Sequence, residues 1–201
     1  MFGRRFADLL LFGVTAIELV ILFFLTSTFG IADWIYVLQH LLVLGIALGR
    51  PAAEIRDYSL TSGIAVAVAY GYAYAQVICL RWSPGHETWP AGGLFLVTFG
   101  AGLSLVSLLY IGRRFGVRPA LRDLVTAGPY RFIRHPMYLS YILSDIGYNL
   151  EEWNVVTVLL VLLGWASLLY RIHAEERILS HSPRWPRYAT RVRYRLVPGL
   201  W

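Results

Sequence analysis

The chain has no lysine, so all 18 of its basic side chains are arginines. It has one cysteine, Cys79, inside an apolar run, which excludes an internal disulfide and a thiolate metal site. Charge is scarce: 15% of 201 residues, against about 25% in an average soluble domain. Hydrophobic residues make up 57% and mean hydropathy is +0.57. That balance excludes an ordinary soluble domain and predicts an integral membrane protein folded as one compact bundle. No glycine-rich dinucleotide loop follows a strand pattern, and no His/Cys/carboxylate set has metal-ligand spacing, so no metal site is expected. Internal repeats and low-complexity linkers are missing as well. The first apolar run is too long for a signal peptide and lacks a small-residue cleavage site, so it is expected to stay as a helix.

What is present is a series of apolar runs close to the roughly 20 residues that a bilayer core requires. They are Asp8–Thr28, Ile31–Gly49, Leu60–Leu80, Ala91–Gly112, a shorter and more polar Pro136–Leu150, and Trp153–Ile172. Only Glu151 and Glu152 join the last two, which predicts a tight C-terminal helical hairpin. Arginine placement orients the set. Arg4, Arg5, Arg50, Arg56, Arg113 to Arg134 and Arg171 to Arg195 alternate with loops that hold Asp33, then Arg81 with Glu87, then Glu151 and Glu152. Seventeen arginines on one side and one on the other give about six transmembrane helices with both termini cytoplasmic. The fold class expected is therefore all-α, with N-terminal transmembrane helices over 1–112 and a C-terminal cytosol-facing region over 113–201 in one integrated domain. In the tail, Trp185, Tyr188, Val192 and Leu196 recur at helical spacing beside Arg184, Arg187, Arg191 and Arg195. This reads as a basic amphipathic helix on the inner leaflet or as plain arginine anchoring.

Two polar clusters stand out. Gly128 to Tyr138 reads GPYRFIRHPMY, with two arginines, a histidine, two tyrosines and two prolines in eleven residues. Gly128-Pro129 is a turn pair. Pro136 suits the first turn of a helix and pushes His135 out of the helical region. Arg131, Arg134 and His135 should then sit at a helix entrance, where free N–H groups and the dipole favour an anionic group. The second cluster, Arg171 to Leu179, places Arg171 and Glu175 on one helix face at (i, i+4), with Glu176 pointing elsewhere. Both clusters leave the hairpin on the same side and should meet. Together they fit S-adenosyl-L-methionine. Glu175 can accept from ribose hydroxyls or the ammonium, the Pro136 entrance suits the carboxylate, and Tyr130 and Tyr138 offer faces to the sulfonium. Glu18, His40 and Asp145 lie inside spans, where ionisable groups mark function or helix pairing; Asp145, two turns past Tyr138, could line the same cavity.

Gly128, Tyr130, Arg134, His135, Pro136 and Tyr138 form a pattern that resembles the isoprenylcysteine carboxyl methyltransferase family and its phospholipid methyltransferase relatives. Glu175, Glu176 and Leu179, and the closing Arg191 to Gly199 tail, strengthen the likeness, which covers Arg114 to Trp201. The resemblance implies a membrane-embedded, S-adenosylmethionine-dependent methyltransferase acting on a lipophilic or isoprenoid small molecule that enters from the bilayer. It implies that Leu124, Val125, Tyr130, Arg134, His135, Pro136, Met137, Tyr138 and Glu175 border the cofactor. It also implies that Arg171 orients and partly neutralises a carboxylate nucleophile. Membrane lipids are expected partners and nucleic acid is not; a bacterial inner membrane is the expected location.

Arg122-Asp123 stands where the family often has His-Thr, Ser140 where a glycine is common, and His181-Ser182 where Phe-Gly follows the glutamates. These departures leave the acceptor open. Two further enzyme readings remain alongside. A phospholipid N-methyltransferase would need a base such as Asp145 or Glu176, and an NADPH-dependent sterol-reductase-like enzyme would use spare arginines for a 2′-phosphate. A non-enzymatic membrane scaffold is the third alternative.

Overall fold

A computed structural model of the chain describes residues 13, 15–17, 19–20, 23–24, 30–49, 51, 53–82, 91–151 and 154–201. The protein is mostly helical, with α1 at Ile31–Gly49, α2 at Leu60–Trp82, α3 at Ala91–Ile111, α4 at Pro136–Glu151, α5 at Val155–Leu179 and the short α6 at Trp185–Arg191. The described residues between 13 and 24 are helical too. Most of the first expected span, Glu18 included, lies outside the described residues, as do Arg4, Arg5, Arg50, Glu87 and Glu152. A pair of two-residue strands, β1 at Ile55–Arg56 and β2 at Ala120–Leu121, joins the α1–α2 and α3–α4 connections antiparallel.

Local chemistry sets the helix ends. Pro136 opens α4 where its missing N–H costs nothing. At α5 the Asn154 side chain accepts from the Thr157 amide at 3.0 Å while the Thr157 hydroxyl accepts from the Asn154 amide at 3.0 Å, a capping box. The helix then runs through Arg171, Glu175 and Glu176 to Leu179, seven residues past the Ile172 boundary expected from hydropathy alone.

Beside an apolar core, several polar side chains lie inside and many large apolar ones face outward. Gln39, Gln76, Ser104, Ser144, Asp145 and Ser167 are buried, whereas Leu41, Phe95, Phe99, Leu109, Leu159 and Leu163 are exposed. Outward apolar faces with inward polar groups are what a hydrocarbon surrounding selects. Among the described residues, two stretches are long and apolar enough to cross a bilayer unaided, Ala91–Arg114 and Val155–Leu179. In α1 the apolar part covers Trp34–Ile46, α2 is diluted by tyrosine, serine and glutamine, and α4 has only 16 residues. This is a membrane protein in which polar groups hydrogen-bond between helices. Gln39 Nε2 donates to the Ala101 carbonyl at 2.8 Å, Tyr36 Oη to Ser144 Oγ at 3.0 Å, and Ser167 Oγ to the Ala65 carbonyl at 2.7 Å.

The two arms of the expected hairpin, α4 and α5, touch each other only lightly. Instead α4 lies along α3, α5 lies along α2, and α1 packs on α3. Small residues let α3 and α4 close up. A Cβ on Gly147 would stand 2.7 Å from the Gly93 carbonyl oxygen, and one on Gly100 would stand 2.5 Å from Ser144 Oγ. Ser140, where a glycine was the expected family residue, is fully buried and donates to the Met137 carbonyl at 2.6 Å. Gly147→Ala should therefore lower stability by about 1–3 kcal/mol through overpacking. The thermal midpoint in detergent checks this; an unchanged midpoint would mean that the helices have room to spare.

Candidate functional site

Gly128, with φ at +58°, turns the chain from the α3 side into a 3-10 turn at Gly128–Arg131. A side chain there would be strained, and its Cβ would meet the Tyr110 ring at 2.5 Å. The turn delivers Tyr130 into the protein, and Pro136 then starts α4 with His135 just outside it. From the other direction α5 carries Arg171, Glu175 and Glu176 to the same place.

The two clusters meet. His135 Nδ1 lies 3.8 Å from Glu175 Oε2, and His135 Nε2 lies 3.3 Å from Glu176 Oε1. Tyr138 Oη donates to Glu175 Oε1. The Arg171 guanidinium sits over the Tyr138 ring at 5.3 Å and donates from one terminal nitrogen to the Val117 carbonyl at 3.2 Å. Its Nε is buried without a hydrogen-bond partner among the described residues.

Glu176 is the hub. Its carboxylate accepts from Arg195 Nε at 2.9 Å, faces His135, and lies 3.3 Å from Arg134 Nε. That last contact is a charge pairing without hydrogen-bond geometry, since Arg134 Nε counts among the unpartnered donors. Arg134 donates instead to the Arg193 carbonyl at 3.1 Å, and its guanidinium lies 5.8 Å from the Trp185 ring centre. The tail after α6 folds back over this network. The amides of Arg134 and His135 donate to the Tyr194 and Arg195 carbonyls at 3.0 and 2.9 Å, and Tyr188 Oη donates to the Tyr130 carbonyl at 2.8 Å.

Three readings of the sequence are corrected here. The tail is no membrane-surface helix: α6 ends at Arg191, and Tyr188, Val192 and Leu196 are buried against Leu124, Tyr138, Leu168 and Ile172. Its apolar stripe is satisfied by protein. The amides just before Pro136 are taken by the tail, so they are not free donors for an anion. One face of Tyr138 already carries a cation, that of Arg171.

A cavity of about 440 Å³ adjoins the network. Leu124, Val125, Tyr130, Arg134, His135, Met137, Tyr138, Arg171 and Glu175 line it, but Pro136 does not, being fully buried, and neither does Glu176. From there the cavity reaches between the helices to Asp145, Gln39, His40, Gln76 and Thr15. Asp145 accepts from Tyr72 Oη at 3.1 Å and from Trp165 Nε1 at 2.9 Å. Burial, then the nearby Glu175 charge, push the Tyr130 phenol well above its ordinary pKa, so it stays a neutral donor. At the rim, burial raises the pKa of Asp123, but hydrogen bonds from Arg114 and the Leu124 amide, with the Arg114 and Arg184 charges, outweigh it and leave the carboxyl below its ordinary value.

Residues 93–181 match the family model described as the isoprenylcysteine carboxyl methyltransferase (ICMT) family. This segment is an ICMT-family domain. It holds α3 from Gly93 onward, the Gly128–Tyr138 turn, α4 and α5, and so every residue expected from the sequence to border the cofactor or the acceptor. The family points to a membrane methyltransferase. The chain is also 28% identical over 124 residues to the nickel-cobalt-cadmium resistance protein NccN of Alcaligenes xylosoxydans xylosoxydans, covering 58% of this chain and 57% of that protein. To the cobalt-zinc-cadmium resistance protein CzcN of Cupriavidus metallidurans it is 29% identical over 114 residues, covering 53% and 52%. The chain thus spans about half the length of the curated relatives it matches.

Sequence reasoning had overlooked the joint hold of Glu176 and Arg195 on the tail. The signal was available: two adjacent glutamates at a helix end, and a tail with arginines at 184, 187, 191, 193 and 195. Glu176→Gln should cost about 1–3 kcal/mol, because three basic groups lose their buried counter-charge. It should also expose the tail, so that limited trypsinolysis cuts at Arg191 or Arg193 sooner than in the wild type. A tail as protease-resistant as before would remove Glu176 from that role.

Proposed function

We propose that the protein is an integral membrane methyltransferase of isoprenylcysteine carboxyl methyltransferase type, which uses S-adenosyl-L-methionine to methylate a lipophilic acceptor, a carboxylate by preference. The observation that carries the reading is the meeting of His135, Glu175 and Arg171 on one cavity wall, with His135 Nδ1 3.8 Å from Glu175. The donor set suits the cofactor. Glu175 accepts from hydroxyls or an ammonium, Tyr130 supplies a neutral aromatic wall, and Leu124, Val125, Met137 and Tyr138 supply apolar and aromatic contact beside His135 and Arg134. When bound, S-adenosylmethionine supplies an electrophilic methyl carbon whose bonding pair to sulfur stays on sulfur as the acceptor takes the carbon.

The residues divide the remaining work. Arg171, with a buried unpartnered Nε, is placed to hold an acceptor carboxylate by charge and hydrogen bonding. Tyr138 orders both sides, since its hydroxyl donates to Glu175 while its ring carries the Arg171 guanidinium. The buried wall excludes water, which strengthens these electrostatic contacts. A carboxylate acceptor needs no general base. An amine acceptor would need one, and both candidates for that role are committed: Glu176 is matched by Arg134, His135 and Arg195. Asp145 is bonded to Tyr72 and Trp165 and lies seven residues, about 10 Å of helix rise, beyond Tyr138. This favours the carboxylate reading over the phospholipid N-methyltransferase one.

The two relatives are named for resistance to nickel, cobalt, zinc and cadmium. Among the described residues no group of three or more His, Cys, Asp or Glu side chains is arranged to hold a metal ion, and the reading rests on the donor pocket. The arginine distribution supports a pocket on the cytoplasmic face of a six-span bundle, with both termini cytoplasmic and 113–201 as the donor-binding region; a bacterial inner membrane suits it.

Titrating purified protein in detergent with S-adenosylhomocysteine should give saturable binding, and its absence would end the reading. Glu175→Gln should abolish that binding. Arg171→Ala should lower turnover more than donor affinity; an effect confined to affinity would move Arg171 to the donor side.

A further inference from the structure

Beyond Arg171 the cavity does not become a dry tunnel. Its lining includes Tyr36, Tyr72, Tyr74, Gln39, Gln76 and Asp145, which sets aromatic rings and hydrogen-bonding groups among the apolar side chains. Some of these are already matched: Tyr36 bonds Ser144, Tyr72 bonds Asp145, and Gln39 bonds Ala101. Two are not. Gln76 is 4% exposed and its Nε2 has no partner among the described residues, and neither has the buried hydroxyl of Tyr74. Both residues line the cavity. A saturated or prenyl chain passing them would leave an amide and a phenol unpaired in a low-dielectric interior, which is unfavourable. A ring with a hydroxyl or carbonyl would stack on the tyrosines and offer a partner to such groups.

We infer that this inner compartment binds the body of the acceptor, and that this body is an aromatic ring bearing a polar group rather than an apolar prenyl chain. The inference rests on the methyltransferase reading for its direction, because the reacting end would lie at Arg171. Its size follows from the helices. Tyr72 sits opposite Gly164, whose added Cβ would meet the Tyr72 ring at 2.5 Å. From Gly164 to Arg171 is seven residues and from Tyr72 to Gln76 four more, so the two ends of the acceptor site lie about 16 Å apart along the helix axes.

The test uses two carboxylates of that reach which differ by a single hydroxyl, 8-(4-hydroxyphenyl)octanoate and 8-phenyloctanoate. Binding of each to the full-length protein in detergent is measured by isothermal titration, with S-adenosylhomocysteine titrated separately on every variant. The wild type should bind the phenol about tenfold more tightly than the phenyl compound, the worth of one or two buried hydrogen bonds. Gln76→Leu should erase that preference, and Tyr74→Phe, which removes only an oxygen, should reduce it. Equal or tighter binding of the phenyl compound by the wild type overturns the inference and describes a dry chain tunnel. A phenol preference that survives both substitutions overturns it as well, because the polar contact would lie elsewhere. Loss of S-adenosylhomocysteine binding would instead strike the methyltransferase reading, and the phenol-to-phenyl ratio is read independently of it.

Discussion

The arrangement depends on one carboxylate. Glu176, with 11% of its side chain exposed, stands among Arg134, His135 and Arg195. Burying a single carboxylate is costly unless it is paired and hydrogen-bonded. Here the pairing draws three separate parts of the chain to one point: the turn before α4, the end of α5, and the tail. Because Glu176 is consumed in this way, its neighbour Glu175 turns towards the cavity, with the Tyr138 hydroxyl and the His135 ring beside it. Two glutamates in succession thus divide into one that holds the structure and one left for a ligand.

The cavity follows from how the helices pack. Gly93, Gly100 and Gly147 let α3 and α4 approach until backbone meets backbone, while the Tyr72 ring of α2 lies against Gly164 of α5 and lines the cavity. In hydrocarbon no hydrophobic force presses helices together, so close packing of small residues and interhelical hydrogen bonds must do so. The same residues that bond between helices, Gln39, Ser144 and Asp145, also form the cavity wall. A polar interior in a membrane protein therefore serves cohesion and recognition with one set of groups.

Much of this was legible beforehand where the signal is local. The start of α4 at Pro136, the start of α1 at Ile31 and the turn at Gly128-Pro129 follow from proline, glycine and hydropathy acting within a few residues, and the structure has them there. Hydropathy stops at Ile172, but the shared face of Arg171 and Glu175 already carries the helix on, and α5 runs to Leu179. The tail was misjudged. A helical stripe of Tyr188, Val192 and Leu196 reads the same whether lipid or protein covers it, and the chain breaks its helix at Arg191 to bury that stripe against α4 and α5.

The sequence alone determined that this is a helical membrane protein, that Arg134-His135-Pro136 opens a helix, and that Arg171 and Glu175 share a face. Periodicity, proline geometry and the expense of charge in hydrocarbon act at short range and leave their mark residue by residue. The tertiary structure decided which glutamate is spent on architecture, what covers the tail, and that the cavity continues inward to Gln76. Those outcomes turn on contacts between groups about 20 to 110 positions apart in the chain, such as Arg195 with Glu176, His135 with Glu176 and Tyr36 with Ser144. No local pattern encodes them, because each exists only once the helices have been brought side by side.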